Sequence, residues 1–367
     1  MIRRVSGAVR PPDGPYDADI VILALDRPEE TVAAIRSALA QTGVTRHVTV
    51  LDQGSMAENL VCLEMAVAGR PDATLLRSDR NLGVAEGRNQ ASAFGHGRAI
   101  VGLDNDAIFA ASDTLARLVA ALDRTPNLGA VACRILNDST GKDDLTSWGY
   151  PRALLPHAAG RFMTTTFVGA GHAIRREAWH AAGGYDPALF FCWEEYDFCL
   201  RAIALGWRVQ YRGDLVVRHK ITAERRVGWS GDRWFYFVRN RVFIGRKYGA
   251  GWAALVPRMG GYLLKGALNG LTVKTILALA AAVRMSRDAG RRPLPPDALA
   301  YLGHHDTAHR ENWVRRLCTE VAVRLGMPPI AVERQARSPV SWSAEADRPR
   351  LALGNPIKAW VLGLRRG

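Results

Sequence analysis

Short apolar runs alternate with amphipathic stretches in the first part of the chain. The run DIVILAL at residues 19–25 is too short for a helix, which predicts a buried strand. Three more strands are predicted at 47–55, 74–78 and 99–106, and helices are predicted from residue 28 to near Gly43, over 56–68 and within 81–97. Because strand and helix alternate at short spacing, we expect parallel strands joined by right-handed crossovers.

The start of the first predicted helix carries two helix-start signals. Asp26 is a candidate N-cap, and Pro28 suits the first turn because its missing N–H needs no partner there. Residues 1–18 before the first strand are basic and then rich in Pro and Gly, which predicts an N-terminal tail.

The pattern changes after the fourth strand. Residues 130–220 mix short strands with loops, and the sequence becomes helical after Trp234. Apolar residues recur at helical spacing over 262–285, with Lys265, Lys274 and Arg284 between them. From Arg291 onward, Pro clusters and mixed charge predict loosely packed helices and a tail.

Cysteine usage and the lack of long apolar runs restrict the class of protein. The 367 residues include five cysteines and no Cys-x-x-Cys pair, which argues against a disulfide framework and a structural zinc site. The apolar run that follows the basic N-terminus is too short to predict a signal peptide, and no uninterrupted apolar run is long enough to predict a membrane span. We therefore expect a cytoplasmic protein in a reducing compartment.

The net charge of +14 is unevenly distributed. Eleven Lys or Arg lie between Arg239 and Arg292, against the single acid Asp288. Such a basic face suits an anionic membrane surface, nucleic acid or phosphorylated substrates. For the helical segment 252–292, docking on the inner face of a membrane and packing against the rest of the chain or a second subunit are equally compatible with the pattern.

The sequence Asp104-Asn105-Asp106 ends the fourth predicted strand. Asp and Asn favour turns, so this tripeptide alone predicts no more than a turn. Two neighbouring carboxylates at the end of a buried strand would also suit a divalent cation, since the strand ends of an α/β sheet form its ligand-binding edge.

Four further segments follow in a specific order along the chain. They are Asp52-Gln53-Gly54-Ser55 after the second strand, Arg88-Asn89 in the third helix, Trp193-Glu194-Glu195-Tyr196-Asp197 at a helix start, and His219 after a later strand. Together with Asp104-Asn105-Asp106, this order resembles the family-2 glycosyltransferases of the GT-A fold. The similarity covers residues 19–248, and WEEYDFCLRA is especially similar to galactofuranosyl- and rhamnosyl-transferase-like members.

The resemblance implies an α/β fold of the GT-A type. This is a Rossmann-like, predominantly parallel central sheet flanked by helices, followed here by a helical region. The implied division is a tail at 1–18, a catalytic domain at 19–248 and a helical C-terminal region at 249–367. Within the catalytic domain, 19–106 would bind the nucleotide and 107–248 would bind the acceptor.

The resemblance also implies residues that bind the donor nucleotide. These are Ala24, Asp26, Asp52, Arg88 and Asp104. A carboxylate at Asp52 can accept a hydrogen bond from a pyrimidine N–H, and turn formation is its alternative role. The alternative for Arg88 is a solvated helix face. Leu25 stands where the family usually has an aromatic residue.

The metal ligands and the catalytic base come from the same resemblance. Asp104, Asp106 and His219 match the positions that hold Mn²⁺ or Mg²⁺ in the family, and oxygen and imidazole ligands suit those ions. Glu195 matches the catalytic base. The remaining residues of its segment, Trp193, Glu194 and Asp197, are implied to contact the sugar or the acceptor.

The function implied is metal-dependent, inverting transfer of a sugar. The donor would be a UDP- or dTDP-sugar, and the acceptor a hydroxyl of a saccharide or lipid-linked saccharide. A sugar-nucleotide synthase is an alternative, although DRPEE at 26–30 lacks the Gly-rich basic loop that would cradle a triphosphate. A non-catalytic basic protein that binds nucleic acid or an anionic surface is another, but acids in a cleft repel phosphates, so we expect no nucleic-acid partner.

Overall fold

The structure is a computed structural model that describes residues 1–220 and 231–310. The strands are β1 (Ile2–Gly7), β2 (Ala18–Ala24), β3 (Arg46–Asp52), β4 (Ala73–Ser78), β5 (Ala99–Asp104), β6 (Ala107–Phe109), β7 (Leu128–Asn137), β8 (Arg161–Thr164), β9 (Gly171–Arg175) and β10 (Arg208–His219). The helices are α1 (Pro28–Leu39), α2 (Ala57–Val67), α3 (Gly83–Phe94), α4 (Thr114–Arg124), α5 (Arg176–Ala182), α6 (Glu194–Ala204), α7 (Gly231–Lys247), α8 (Trp252–Leu268), α9 (Thr272–Asp288) and α10 (Pro296–His305).

These strands form a single mixed sheet. Its order is β1-β4-β3-β2-β5-β9-β7-β10-β6, with β8 paired to β10. The four strands expected from the apolar runs are β2 to β5. Within this group, β2 pairs in parallel with β3 and β5, and β3 pairs in parallel with β4. Strand β9 is antiparallel to both β5 and β7 and joins the two halves of the sheet.

Successive side chains along a strand point to opposite faces of the sheet, and both faces are packed. In β2, the side chains of Ile20 and Ile22 belong to the apolar core under α1, α2 and α4. The intervening Val21 belongs to the core on the other face, together with residues of α3, α5, α6 and α10. Both faces are covered, so the strands read as continuous apolar runs.

Strand β10 connects several parts of the sheet. It pairs with β7 in parallel and with β6 and β8 antiparallel. In the register with β6, His219 lies opposite Ala107, directly after the turn that follows β5. The last residue of β10 therefore lies next to that turn.

The N-terminal expectations need two corrections. Residues 2–7 are an edge strand paired antiparallel with β4, although we expected residues 1–18 to be a tail. Edge pairing uses backbone groups, so the side-chain pattern gave little sign of it. Pro28 begins α1 as predicted, but Asp26 does not cap it and instead accepts hydrogen bonds from the N–H of Met56 and the amide of Asn59.

The C-terminal pattern corresponds to two helices in place of one continuous segment. α8 and α9 are separated at Asn269–Leu271, and both pack on α7 around the buried Trp234. Within the described residues, no helix combines the length and apolar character needed to cross a bilayer. The predicted tail after residue 310 lies outside the described residues.

Candidate active site

The Asp104-Asn105-Asp106 turn joins β5 to β6 at the carboxyl edge of the sheet. Oδ1 of Asp106 lies 3.0 Å from Nε2 of His219, and the backbone N–H of Lys220 donates to the carbonyl of Asp106 at 2.7 Å. One ligand atom each from Asp104, Asp106 and His219 lies within 4.8 Å of the other two. The structure thus brings together the three residues that the resemblance assigned to a metal.

Two arginines balance the charge of this acidic turn. Nη1 of Arg27 lies 2.8 Å from Oδ2 of Asp106, and Nη2 of Arg88 lies 2.7 Å from Oδ1 of Asp104. Nη2 of Arg88 also donates to the carbonyl of Gly169. Arg88 is 3% exposed, so the alternative of a solvated helix face is wrong.

Asp144 orients the imidazole of His219. Its Oδ2 lies 3.1 Å from Nδ1 of His219, and it also accepts hydrogen bonds from Thr146 and Ser147. Burial alone would raise the pKa of Asp144, but the hydrogen bonds from His219, Ser147 and Thr146 bring it below its ordinary value. An ionised Asp144 favours the tautomer with its proton on Nδ1, in which the lone pair on Nε2, the atom that faces Asp106, is the one that would bind a cation.

The donor set fits a divalent cation. Two carboxylates and one imidazole offer oxygen and nitrogen ligands, which suit Mn²⁺ and accommodate Mg²⁺. The carboxylate behind the imidazole completes an arrangement typical of metal-binding histidines. Asp144 was not found from the sequence, since it lies 75 residues before His219 in a polar loop without a recognisable motif.

The two glutamates that begin α6, Glu194 and Glu195, lie close to the Asp104-Asn105-Asp106 turn. A Cβ at Gly169 would lie 2.5 Å from Oε1 of Glu195 and 3.8 Å from Oδ1 of Asp104, so both carboxylates border this glycine. Burial raises the pKa of Glu195 to about 7. Burial and the charge of Glu195 also raise the pKa of Glu194, which is 2% exposed.

The turn before α6 has an unusual backbone. Phe190, Cys192 and Trp193 have positive φ angles of 61°, 68° and 73°. Among non-glycine residues of the described chain, the other positive φ angles are at Asp26 and Arg27. Such conformations persist only where the surroundings impose them, and they concentrate at functional sites.

Asn240 on α7 holds this turn in place. Its Nδ2 lies 2.8–2.9 Å from the carbonyl oxygens of Leu189, Phe191 and Cys192. The neighbouring Arg239 donates to the carbonyl of Leu189 as well. On the opposite side, the carbonyl of Phe190 accepts from the N–H of Val84 at 2.6 Å. The turn that presents Trp193 and the two glutamates is therefore fixed by both α3 and α7.

The comparisons with known proteins agree with this geometry. Residues 19–181 match the family model described as glycosyl transferase family 2. The matched segment covers 163 of the 367 residues, and this segment is similar to that family. The chain is also similar to the O-antigen biosynthesis protein RfbC of Myxococcus xanthus, with 25% identity over 65% of this chain and 20% of that protein. The chain thus spans about a fifth of the length of that curated relative.

Solved structures show the GT-A fold. A mannosyltransferase from Pyrobaculum calidifontis, PcManGT, in complex with GDP-Man and Mn²⁺, is 18% identical, with a TM-score of 0.52 over 87% of this chain and 83% of that one. GalNAc-T7 with UDP, GalNAc and Mn²⁺ is 16% identical, with a TM-score of 0.54 over 80% and 59%.

A cavity of about 1980 Å³ opens at the carboxyl edge of the sheet. Its lining includes most of the predicted site residues: Ala24, Arg88, Asp104, Asp106, Trp193, Glu194, Glu195 and His219. Leu25, for which the resemblance implied an aromatic residue, also lines it, and so does Arg27, which no sequence motif had indicated. Asp26 and Arg27, which follow β2, both have a positive φ of 54°, and this left-handed backbone places the side chain of Arg27 in the cavity wall.

Asp26 and Asp52 do not line the described cavity. Asp52 is fully buried, and its oxygens accept from the N–H groups of Gly54 and Ser55 and pair with Arg77. These contacts fit the alternative interpretation of Asp52 as a turn former, a role that is compatible with binding a nucleotide, so the contact with the nucleotide stays a prediction. The cavity gives no support to a contact between these two residues and a nucleotide.

Asp197 also differs from its predicted role as a sugar or acceptor contact. It is fully buried, with Oδ1 2.8 Å from Nζ of Lys247 and 2.9 Å from the hydroxyl of Tyr248. Its other oxygen pairs with Arg201, and this pair is buried and not on the helix surface. Asp197 lies one turn into α6 and faces away from the cavity. Its contacts with Lys247 and Tyr248 hold α6 against the end of α7.

Proposed function

We propose that this protein is a metal-dependent, inverting glycosyltransferase that moves a sugar from a UDP- or dTDP-sugar to a hydroxyl of a saccharide or lipid-linked saccharide. The proposal rests chiefly on one observation. The carboxylates of Glu195 and Asp104 border the same glycine, Gly169, so a basic group and the metal-ligating cluster face one another across one cavity.

On the donor side, Asp106 and His219 would hold the divalent cation with help from Asp104. When bound, the cation supplies positive charge that offsets the charge growing on the departing nucleoside diphosphate. Asp144 keeps the imidazole oriented, and Arg88 fixes the carboxylate of Asp104. Arg27 carries a further positive charge at the edge of the cluster.

On the acceptor side, Glu195 would remove the proton of the attacking hydroxyl. A pKa of about 7 lets the carboxylate be ionised at neutral pH while remaining a stronger base than an exposed glutamate. Inversion is the outcome that the resemblance to the family-2 glycosyltransferases implies, and it requires the hydroxyl to approach from the side opposite the leaving group. Glu195 at the start of α6 and the cluster at the ends of β5 and β10 line the same cavity from different elements, which is compatible with that approach.

The relatives support the classes of donor and acceptor. PcManGT and GalNAc-T7 were solved with a nucleotide sugar or a nucleotide and with Mn²⁺. RfbC is named for O-antigen biosynthesis, which supports a growing polysaccharide as the acceptor.

The experiment is a screen of nucleotide sugars for hydrolysis and for thermal stabilisation, with and without Mn²⁺. We expect one UDP- or dTDP-sugar to be hydrolysed slowly and only with the cation. Asp106→Ala should abolish hydrolysis and the Mn²⁺-dependent stabilisation by UDP or dTDP while the protein remains folded. The exposed Asp113→Ala is the matched control. Wild-type binding of nucleotide and Mn²⁺ by Asp106→Ala would refute the proposed metal site.

A further inference from the structure

The hairpin formed by α8 and α9 has one buried face and one exposed apolar face. Leu255, Ala278 and Ala282 pack against α7. Seven of the fifteen exposed large apolar side chains in the described residues lie between 256 and 277. They are Val256, Leu263, Leu264, Leu268, Val273, Ile276 and Leu277.

The charge of the hairpin is positive except for Asp288, the last residue of α9. From residue 252 to residue 287 the sequence contains no Asp or Glu, and it contains five cationic residues, which are Arg258, Lys265, Lys274, Arg284 and Arg287. Of these, Lys274 pairs with the exposed Asp232 at 2.8 Å. An apolar surface on a segment that carries five cations and no acid from 252 to 287 is complementary to a bilayer surface with anionic headgroups.

The apolar surface also reaches the mouth of the cavity. Lys274 and Leu277 on α9 line the cavity, as do Arg233 and Phe235 on α7. Ile276 and Val273, which are 52% and 71% exposed, lie on the same helix beside them. Leu277 belongs both to the exposed apolar side chains and to the lining, so the exposed face adjoins the cavity at α9.

We infer that the α8–α9 hairpin docks on an anionic membrane surface, with its apolar side chains in the headgroup region and the cavity entrance beside the bilayer. The biological role of this docking rests on the proposed function, since a lipid-linked acceptor would meet the cavity at the membrane. The docking itself depends on the hairpin and not on the catalytic residues.

The test is co-sedimentation of the full chain with vesicles. We expect the protein to bind phosphatidylcholine vesicles that contain phosphatidylglycerol at low salt, to be released at high salt, and to ignore vesicles of phosphatidylcholine alone. Failure to bind the anionic vesicles at low salt would overturn the inference. That result is also expected if this face is covered by residues outside the described range or by a second copy of the chain.

Paired variants locate the contact. Leu264→Asp with Leu268→Asp should lower the bound fraction at least tenfold, whereas Val61→Asp with Met65→Asp should leave it unchanged. Val61 and Met65 on α2 are 50% and 75% exposed, so the control removes apolar side chains of similar exposure. Equal binding by the two double variants would show that the hairpin is not the contact and would overturn the inference.

Two further measurements separate folding and catalysis from docking. If the leucine variant melts at a lower temperature than wild type, Lys265→Glu with Arg284→Glu gives the same test through charge alone. Metal-dependent hydrolysis of the nucleotide sugar in the absence of vesicles should be the same in wild type and variants, since Leu264 and Leu268 do not line the cavity. Docking without hydrolysis would refute the proposed function alone, and hydrolysis without docking would refute this inference alone.

Discussion

Nη1 of Arg27 lies 2.8 Å from Oδ2 of Asp106, so a guanidinium occupies one side of the carboxylate that is proposed to bind the cation. A cation that binds there meets a fixed positive charge, which lowers its affinity. The same guanidinium is well placed to attract a diphosphate once the donor binds. Arg27 therefore favours binding of the cation together with the nucleotide over binding of the cation alone.

Arg27→Gln should strengthen the binding of Mn²⁺ in the absence of nucleotide by about tenfold, consistent with the loss of one partly screened charge. Calorimetric titration of the protein with Mn²⁺ measures this affinity. Arg10→Gln, at an exposed ion pair with Asp13, should leave it unchanged. Weaker binding of Mn²⁺ by Arg27→Gln would mean that Arg27 supports the metal site and does not compete for it.

Asp144→Ala should weaken Mn²⁺ binding by about 10–100-fold, because it releases the imidazole of His219 from its fixed orientation. The neighbouring Asp143→Ala is a matched control, since the carboxylate of Asp143 pairs with Arg134 at 2.7 Å. Melting temperatures of both variants show whether the loop remains folded. Equal affinities for Mn²⁺ would limit Asp144 to a structural role.

Glu195→Gln should lower turnover by about 10²–10⁴-fold and leave donor affinity nearly unchanged, since glutamine keeps the shape of the side chain but cannot accept the proton. Glu194→Gln should have a much smaller effect. Initial rates of sugar transfer and donor binding by titration give the two quantities. If Glu194→Gln shows the large loss and Glu195→Gln stays active, the base has been assigned to the wrong residue.

The pKa of Glu195, raised to about 7 by burial, predicts the pH dependence of kcat/KM. Only the ionised carboxylate accepts a proton, so activity should be complete above this pKa and fall about tenfold per pH unit below it. A profile of kcat/KM between mildly acidic and mildly alkaline pH measures this acidic limb, the pH range over which activity falls. A limb near the ordinary pKa of glutamate would contradict the buried environment.

The raised pKa of Glu195 also affects the free energy of unfolding, which falls as the pH rises, whereas activity increases. The pKa of Glu195 is higher in the folded chain than its ordinary value of 4.5, so the folded state holds the proton more tightly. This contribution to stability is complete below pH 4.5 and is lost as the pH rises through about 7. Glu195→Gln should therefore raise the melting temperature more at alkaline than at acidic pH, and an equal change at both would contradict the shift.

The strands and the acidic turn could be predicted because their signals are local. The apolar runs of β2 to β5 have the length and composition of buried strands, Asp104 ends β5, and Asp106 lies two residues later. His219 was added through the resemblance, and the structure brings the three residues together, while their binding of a metal stays a prediction. The sequence could not show that β1 extends the sheet, since edge pairing depends on a partner more than 60 residues away. It also predicted a continuous helical pattern where Asn269 and Gly270 separate α8 from α9.

The acidic residues around α6 show a second limit of sequence reasoning. Helical periodicity places Glu194 and Asp197 on one face and Glu195 on another. In the structure both glutamates line the cavity, because residues at the first turn extend past the end of the helix, while Asp197 is buried against α7. Periodicity describes the sides of a helix and not its end.

The pairing of His219 with Asp106 spans 113 residues, and strand β10 brings the histidine to the turn. On the ribosome, the turn with both aspartates emerges long before the histidine does. A nascent chain therefore carries an incomplete set of ligands until β10 has joined β6 and β7. Tight capture of the cation would then mark the completion of the sheet, and truncated chains that lack β10 would not sequester the metal.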